Sequence, residues 1–377
     1  MRPLDPKGRD DYYRRVADVL IAQIKNGTAP WVQSWEAGER VQPYNLASGK
    51  AYRGGNATWL ASVSEMRGYQ DERWGTYRQI QEAGGQVRRG QKGASIIYWQ
   101  WEKRRLARDG NGKPVLDEKG QPAYEVAKLE RPRSYMYTVF NAEQASGLPP
   151  RPLREGGHQW ERNERAELVV ENCGAEVEHT HQDRVFYDLG RDRIVMPHRE
   201  QFPNPAGYYQ SLLHELGHWT GHPERMNRET LVEGIQQGPK SLEYAREELR
   251  AEISSMMTGD RLDIGHDGSR SAAYVDFWVK TLQDHPQEIH LASRDAQLIS
   301  DYVMERGRTQ EVEAGGDRQA RTPSPPAAEA PAVPGLPPAV VPPASSGEQM
   351  RLFQRGRSMA DRARAAVEED RAAAISR

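Results

Sequence analysis

Apolar side chains recur at helical spacing in several segments of this chain. In residues 10–26, Val16, Leu20 and Ile24 fall on one stripe, and Gly27 follows as a helix terminator. Thr76 is placed to cap another helix. Further helices are predicted over residues 160–173, 243–257, 272–282 and 289–304, and one is predicted to begin near residue 56. The pattern therefore predicts helices in both halves of the chain.

Other segments have the pattern of strands. Residues 94–101 are rich in β-branched and aromatic side chains, and residues 133–140 alternate. The charged, glycine-punctuated segment 102–132 between them favours a hairpin insertion. Three short strands are predicted over residues 176–179, 184–187 and 193–196, and the third is expected to be the sheet edge that pairs with an extended substrate. The mixture predicts an α+β fold.

Composition divides the 377 residues into two parts with different chemistry. Residues 1–150 contain 24 Lys+Arg against 17 Asp+Glu and six of the nine tryptophans, whereas the remainder contains 28 against 37 and all ten histidines. The single cysteine, Cys173, excludes an internal disulfide and fits a reducing compartment. No apolar run has the length of a membrane span, and the first residues lack the apolar core of a signal peptide. We therefore expect a cytoplasmic protein with no membrane partner.

The domain boundaries follow from the same changes in composition. We expect a small α+β domain over residues 8–148, a Pro/Gly-rich linker over 149–157, a second α+β domain over 158–310, and a Pro/Ala-rich disordered tail over 311–377. Residues 355–375 are rich in Ala and Arg and form either a lone docking helix or, as we favour, a solvated tail.

The clearest chemical motif is the His-Glu-x-x-His pattern of His214, Glu215 and His218. On a helix, residues four apart share a face, so the two imidazoles can hold one metal ion while Glu215 faces its bound water as the catalytic base. Gly217 removes a side chain between them, where a substrate or a second element can approach closely. The alternative is a buried helix whose histidines are merely hydrogen-bonded.

A catalytic zinc site has three protein ligands, so a third is required. Glu248 and Glu252 lie on one face of the predicted helix over residues 243–257. We assign Glu248 to the metal and Glu252 to holding a ligand histidine. The two roles could be exchanged, and the helix could instead be a salt-bridged surface helix.

Cations and aromatic residues in the first domain predict contacts with single-stranded DNA, because cations meet phosphates while aromatic faces stack on bases. The alternatives are an ordinary turn with core tyrosines and, for the basic loop around residue 90, a solvated hairpin. The candidate residues are Trp31, Tyr44, Asn45, Lys50, Tyr52, Arg53, Asn56, Arg88, Arg89 and Lys92.

Many of these residues stand in an order that resembles the amino-terminal domain of the ArdC-type antirestriction proteins of conjugative plasmids. The resemblance covers most of residues 10–148 through Trp31, Pro43-Tyr44-Asn45, Tyr52-Arg53-Gly54, Trp74, Thr76, Gln79, Gly84-Gly85 and Lys92-Gly93. It continues through Tyr187, the His214–His218 helix, Thr220-Gly221-His222, Arg225 and the segment from Tyr244 to Glu252.

The resemblance implies a single-stranded-DNA-binding domain followed by a zincin-like metallopeptidase domain over about residues 158–307. It implies metal-assisted hydrolysis, in which zinc activates water and Glu215 carries its proton to the leaving amine. His222 and Tyr244 are candidate donors to the developing oxyanion.

Three functions are compatible with this sequence. We favour an antirestriction protein that binds single-stranded DNA and protects incoming plasmid DNA during conjugation, with a protein substrate such as a component of a restriction system. A second interpretation is a coating protein for single-stranded DNA whose zinc site is structural and not proteolytic. A third is a primase-associated DNA-processing protein. Whether the chain is an active zinc metallopeptidase stays open at this point.

Overall fold

The structure is a computed structural model that describes residues 3–34, 42–110, 113–116, 120–151, 159–202, 204–266, 268 and 274–307. Most of the predicted linker over residues 149–157 lies outside the described residues. All of the predicted tail over 311–377, with its candidate helix over 355–375, lies outside them as well. The described helices and strands form the α+β architecture that the sequence predicts.

The first half of the chain contains three α-helices and six strands within its described residues. They are α1 (Pro6–Lys25), β1 (Tyr44–Asn45), α2 (Gly54–Arg67), β2 (Arg73–Gly75), α3 (Tyr77–Glu82), β3 (Gln86–Val87), β4 (Ala94–Leu106), β5 (Tyr124–Asn141) and β6 (Ala145–Ser146). Helix α1 begins earlier than residue 10 because Asp5 accepts a hydrogen bond from Gly8 and Pro6 occupies the first helical position. Thr76 caps α3, as predicted, through a capping box with Gln79.

Four of these strands form a sheet in the order β1-β2-β5-β4. β4 and β5 pair antiparallel over almost their whole length, so the segment predicted as a hairpin insertion continues both strands. β4 is an edge strand, and α2 covers part of that edge. Asn56 on α2 both donates to the carbonyl of Ile97 (2.8 Å) and accepts from its N–H (3.2 Å), and the indole of Trp59 donates to the carbonyl of Ser95 (3.0 Å). The side chain of Asn56 thus takes the place of a neighbouring strand.

The described residues of the second half form six helices and three strands. They are α4 (Gln159–Cys173), β7 (Glu176–Thr180), β8 (Phe186–Asp188), β9 (Arg193–Pro197), α5 (Pro205–Thr220), α6 (Glu229–Gln237), α7 (Leu242–Leu262), α8 (Val275–Asp284) and α9 (Glu288–Arg306). Cys173 is buried at the end of α4, where it packs as a small apolar side chain. Among the residues that the structure describes, no helix is both long and apolar enough to cross a membrane.

The prediction that residues 193–196 form the sheet edge is wrong. The strand order is β7-β9-β8, so β9 lies in the centre and pairs in parallel with β7 and antiparallel with β8. Ile194 and Met196 of β9 are fully buried, which is the environment of a central strand. The short turn after Asp188 folds β8 back along β9 and leaves β8 at the edge.

Hydrophobic packing joins the two halves of the chain. One cluster combines Leu20 and Ile24 of α1 with Ile253 of α7, Trp278 of α8 and Ala292 of α9. A second cluster packs α4 and the β7-β9-β8 sheet against α5. Helix α1 therefore contributes to the same core as the helix that carries Glu248, although it stands at the other end of the sequence.

Candidate metal centre and DNA surface

Helix α5 carries the His-Glu-x-x-His motif through the interior of the molecule. It begins after Asn204, whose side chain accepts a hydrogen bond from Gly207 (2.8 Å), and it ends at Thr220 before Gly221. Every residue from Gly207 to Thr220 is buried. The four-residue spacing brings the Nε2 atoms of His214 and His218 to 3.1 Å from each other.

Glu248 of α7 completes a cluster with these two histidines. Its carboxylate oxygens lie 3.4 Å from Nε2 of His214 and 3.7 Å from Nε2 of His218. The side chain is 0% exposed, and neither carboxylate oxygen has a hydrogen-bond partner among the described residues. A buried carboxylate without hydrogen bonds is costly, and a cation held between the three side chains would offset that cost.

The donor set fits a divalent metal ion. One ligand atom from each of His214, His218 and Glu248 lies within 4.8 Å of the others, and within the described part of the chain these three form the only such group. Two imidazoles and one carboxylate are the ligands of a common class of catalytic zinc site.

The electrostatics of His214 show that a metal ion would compete with a proton there. Burial opposes protonation, but the adjacent carboxylates of Glu248 and Glu252 outweigh it and raise the pKa of His214 to about 10. Metal ligation requires the neutral imidazole, so metal binding at this residue would release a proton.

Each histidine is held at its other nitrogen by a second carboxylate of α7. Glu252 accepts from Nδ1 of His214 (2.8 Å), and Glu247 accepts from Nδ1 of His218 (3.2 Å). These contacts leave Nε2 of both rings for the cluster. Glu252 therefore lies where an orienting residue is expected, and the geometry favours Glu248 over Glu252 as the group facing both Nε2 atoms.

Glu247 is a residue of this centre that the sequence did not reveal. Arg228 donates to it through Nη2 (2.6 Å) and Nε (3.2 Å), and Thr230 donates at 2.6 Å. Burial alone would raise the pKa of Glu247, but the charge of Arg228 and the hydrogen bonds from His218 and Arg228 outweigh burial and lower it. Glu247 is therefore an ionised, buried link between His218 and Arg228.

Arg228 also ties this link back to helix α5. It donates to the carbonyl of Gly217 (2.6 Å) and to the hydroxyl of Thr220 (2.6 Å). No sequence pattern indicates this role, since Arg228 stands in an irregular segment. Glu247 has an acidic neighbour on the same helix, and spacing alone does not tell which of the two faces His218.

Gly217 allows α5 and α7 to approach closely. A Cβ atom there would lie 2.9 Å from the hydroxyl of Ser254 and 3.4 Å from the Cα atom of Ala251. The second element expected beside Gly217 is thus α7, which brings Glu247, Glu248 and Glu252 to the two histidines.

Glu215 lies on α5 beside the edge strand β8. Its carboxylate accepts a hydrogen bond from the backbone N–H of Tyr187 (2.9 Å), and its side chain is nearly completely buried. The hydroxyl of Tyr187 donates to Asp192 (2.6 Å), which is paired with Arg225. The strand next to the catalytic candidate is therefore anchored by an ion pair.

The two candidate oxyanion donors occupy different surroundings. His222 is half-buried just beyond the end of α5, where its Nδ1 accepts from the N–H of Glu224 (3.2 Å). Tyr244 is buried in the core that α1 shares with α7, one helical turn before Glu248. Among the described residues, no hydrogen bond or ion pair joins His222 to the three clustered ligands.

Several residues predicted to contact DNA make contacts with other parts of the chain, although Arg53 and Arg88 remain exposed to solvent. Trp31 is fully buried in the core that includes α1, so its ring is not presented to a ligand. Asn56 is bonded to β4, as described above. Arg53 forms an ion pair with Asp301 of α9, and the guanidinium of Arg88 donates to the carbonyls of Glu143 and Ala145. A basic or aromatic composition does not separate such structural contacts from a binding surface.

The other residues of that set are at least partly accessible. Lys50, Arg89 and Lys92 are exposed, and Tyr44 and Tyr52 are half-buried. Asn45 is held in a turn, where its side-chain oxygen accepts from the N–H groups of Ala47 and Ser48 and its amide contacts the Tyr52 hydroxyl (3.2 Å).

Comparison with protein families matches both halves of the chain. The model of the N-terminal domain of anti-restriction factor ArdC matches residues 10–140, and the model of a zincin-like metallopeptidase matches residues 164–295.

Comparison with curated proteins finds long relatives and a short one. The chain is 46% identical over 304 residues to a DNA primase TraC of Escherichia coli, and these residues are 80% of this chain but 20% of TraC. It spans 27% of a second Escherichia coli TraC, also at 46% identity. An uncharacterized protein of Sinorhizobium fredii is 31% identical over 79% of this chain and 93% of its own length.

Comparison with solved structures finds the antirestriction ArdC protein from plasmid R388. Its metal-free crystal structure is 32% identical, covers 79% of this chain and 98% of its own, and superposes with a TM-score of 0.61. The Mn(II)-bound structure of the same protein gives a TM-score of 0.59 with the same identity and coverage.

Proposed function

Because the chain belongs to the ArdC family of antirestriction proteins, we propose that it binds single-stranded DNA and carries a zinc metallopeptidase centre. It would protect incoming plasmid DNA during conjugation, with its DNA-binding part over residues 8–148 and its metallopeptidase part over residues 158–310. The observation that carries the proposal is the buried cluster of His214, His218 and Glu248.

The proposed metal ligands are His214, His218 and Glu248, and the proposed metal is zinc. A divalent ion is supported by the Mn(II)-bound structure of the ArdC protein from plasmid R388. Zinc is favoured by the combination of two imidazoles with one carboxylate. When bound, such an ion lowers the pKa of a water molecule and polarises a carbonyl oxygen.

The protein's own groups supply orientation and proton transfer. Glu252 and Glu247 hold the Nδ1 protons of His214 and His218, so both rings keep Nε2 free for ligation. Glu215 takes a proton from the attacking water and gives it to the leaving amine. The hydrogen bond from Tyr187 keeps the carboxylate of Glu215 beside the sheet edge, where an extended protein substrate would pair with β8.

DNA binding by the first part is supported by its charge and by its family. Residues 1–150 carry seven more basic than acidic side chains, with 24 Lys+Arg and 17 Asp+Glu. Positive charge attracts the phosphate backbone whatever the sequence, and unpaired bases are available for stacking only in single strands.

The variant Glu215→Gln tests the enzymatic part of the proposal. It should bind zinc and DNA as the wild type does, but it should not cleave peptides, because an amide does not accept the water proton. Glu224→Gln, an exposed residue just beyond the same helix, is the matched control and should cleave normally. Cleavage by Glu215→Gln at the wild-type rate would contradict the proposed role.

A second candidate function is a metal centre that stabilises a DNA-coating protein without proteolysis. The burial of Glu215, which is 2% exposed, favours this candidate because a peptide needs access to the base. Protection from restriction during conjugation separates the two functions. Loss of protection in Glu215→Gln supports proteolysis, and full protection supports a metal centre that does not cleave.

A further inference from the structure

Exposed aromatic side chains concentrate on a single hairpin of the molecule, the one formed by β4 and β5. Six large aromatic side chains are exposed among the described residues, and five of them lie there: Tyr98, Trp99, Trp101, Tyr124 and Tyr137. The sixth, Tyr77, lies on α3. Large apolar groups are rarely left together in water without a binding purpose, so this hairpin is a candidate interaction surface.

The strand register places these rings on both faces of the hairpin. Tyr98 lies opposite Tyr135, and Tyr137 lies two residues further along on the same face. The rings of Tyr98 and Tyr137 meet edge to face, with centroids 6.0 Å apart. Trp99, opposite Ser134, points to the other face, and Trp101 stands at the irregularity in register between Gln100 and Glu102. Tyr98 and Tyr137 therefore share one face of the hairpin, and Trp99 lies on the opposite face.

Cations without ion-pair partners accompany the rings. Lys103 and Arg133 are exposed, and in the part of the chain that the structure describes neither forms a salt bridge. Arg133 lies opposite Gln100, one position along the same face from the pair of Tyr98 and Tyr135. The exposed Arg89 and Lys92 lie in the loop that leads into β4. Positive charge thus extends from the base of the hairpin to its outer part.

We propose that this aromatic hairpin, defined by Tyr98, Trp99, Trp101, Tyr137, Lys103 and Arg133, stacks the bases of single-stranded DNA. The proposal rests on the proposed function and assigns the surface that performs it. Aromatic rings accept any unpaired base, and the adjacent cations meet the phosphates. In a duplex the bases are already stacked on each other, so the rings gain little from double-stranded DNA.

The hairpin also supplies exposed aromatic rings, which several of the residues predicted to bind DNA do not supply. Trp31 is buried and Asn56 is bonded to the edge of β4, so neither presents a face to a base. Lys50, Arg89 and Lys92 offer charge but no ring. The hairpin supplies the stacking groups that a charged surface alone lacks.

The test compares the triple variant Tyr98→Ala/Trp101→Ala/Tyr137→Ala with Tyr77→Ala, which removes the exposed aromatic ring outside the hairpin. Both are titrated, as full chains, against a fluorescent oligothymidine and against a duplex of the same length. The triple variant should bind the single strand at least about 100-fold more weakly, since each stacked ring contributes about tenfold. Tyr77→Ala should bind as the wild type does, and duplex binding should change little in either variant.

Three results would overturn the proposal. If the wild type binds the single strand and the triple variant binds it equally well, the hairpin is not the surface, although the proposed function stands. If the wild type does not bind single-stranded DNA, the hairpin proposal and the proposed function are both wrong. If the variant converts a dimeric wild type into a monomer, the rings cover a second copy of the chain.

A conservative variant separates stacking from a structural effect. Trp101→Phe keeps an aromatic face and should retain most of the affinity that Trp101→Ala loses. The thermal unfolding midpoints of both variants should stay close to that of the wild type. Equal loss of affinity in both variants would assign Trp101 to the fold of the hairpin and contradict stacking.

Discussion

The metal centre and the aromatic hairpin are built in opposite ways. At the proposed metal centre, His214 and His218 are buried and each is fixed at Nδ1 by a carboxylate, and Arg228 fixes one of those carboxylates in turn. On the hairpin, rings and cations are exposed, and the rings of Tyr98 and Tyr137 contact each other at the surface. Chemistry at a metal requires groups held in position before the substrate arrives, whereas stacking on DNA requires groups that stay accessible. Substitutions should therefore cost stability and metal affinity at the first site, and DNA affinity at the second.

The largest expected effect belongs to Glu247. Glu247→Ala removes the carboxylate that pairs with Arg228 and leaves that guanidinium charged and buried. Breaking a buried ion pair by removing one partner costs about 3–5 kcal/mol, which urea denaturation will measure. The double variant Glu247→Ala/Arg228→Met should recover part of the loss because it also removes the buried charge. A change below about 0.5 kcal/mol in Glu247→Ala would show that the link is not needed.

A smaller effect is expected at Glu252. Glu252→Ala leaves Nδ1 of His214 without its carboxylate, and losing such a partner weakens metal binding about 10- to 100-fold. Competition with a fluorescent zinc chelator measures the affinity. Glu248→Gln, which removes a proposed ligand, should lose at least about 100-fold. If Glu252→Ala abolishes binding while Glu248→Gln retains it, the roles of the two glutamates are exchanged.

Asn56 tests whether a residue predicted to bind DNA instead stabilises the fold. Asn56→Ala leaves the N–H and the carbonyl of Ile97 without their partner at the edge of β4, and such a loss costs about 1–3 kcal/mol. DNA affinity measured well below the unfolding transition should not change. Lys50→Ala, an exposed member of the same predicted set, should change stability by no more than about 0.5 kcal/mol. A stable Asn56→Ala variant that loses DNA affinity would show that Asn56 contacts DNA.

On the hairpin, a substitution is expected to have a small effect on stability. Trp101→Ala should change the free energy of unfolding by less than about 1 kcal/mol, because the ring is exposed and Trp101 has no partner in the register of β4 and β5. Chemical denaturation checks this value on the same preparation that is used for DNA titration. A loss as large as that at Glu247 would mean that the hairpin aromatic residues maintain the fold, and the contrast between the two regions would disappear.

Sequence patterns predicted which side chains cluster around His214 and His218 better than which aromatic side chains are exposed, for a physical reason. The positions of His214, Glu215 and His218 depend only on helical spacing, and the pair Glu248 and Glu252 follows the same period. Glu247 and Arg228 were missed because they meet across an irregular segment whose path depends on tertiary packing. The aromatic residues were assigned by composition, which does not distinguish the buried Trp31 from the exposed Trp101.

The fold likewise has features that local sequence patterns predict and features that depend on tertiary packing. Except for α6, which was not predicted, the helices and the three short strands of the second half follow local periodicity and lie close to their predicted positions. The strand order does not follow from periodicity, and β9 was wrongly expected at the edge of the sheet. The packing of α1 against α8 joins residues more than 250 positions apart along the sequence, and no local pattern announces such a contact.

The amount of metal bound per chain tests the central claim most directly. Protein stripped with a chelator, reloaded with zinc and freed of excess metal is analysed for its elemental content. Wild type and Glu215→Gln should each retain one zinc ion per chain, and His214→Ala should retain almost none. Equal zinc in wild type and His214→Ala, or none in either, would contradict a metal centre built from His214, His218 and Glu248.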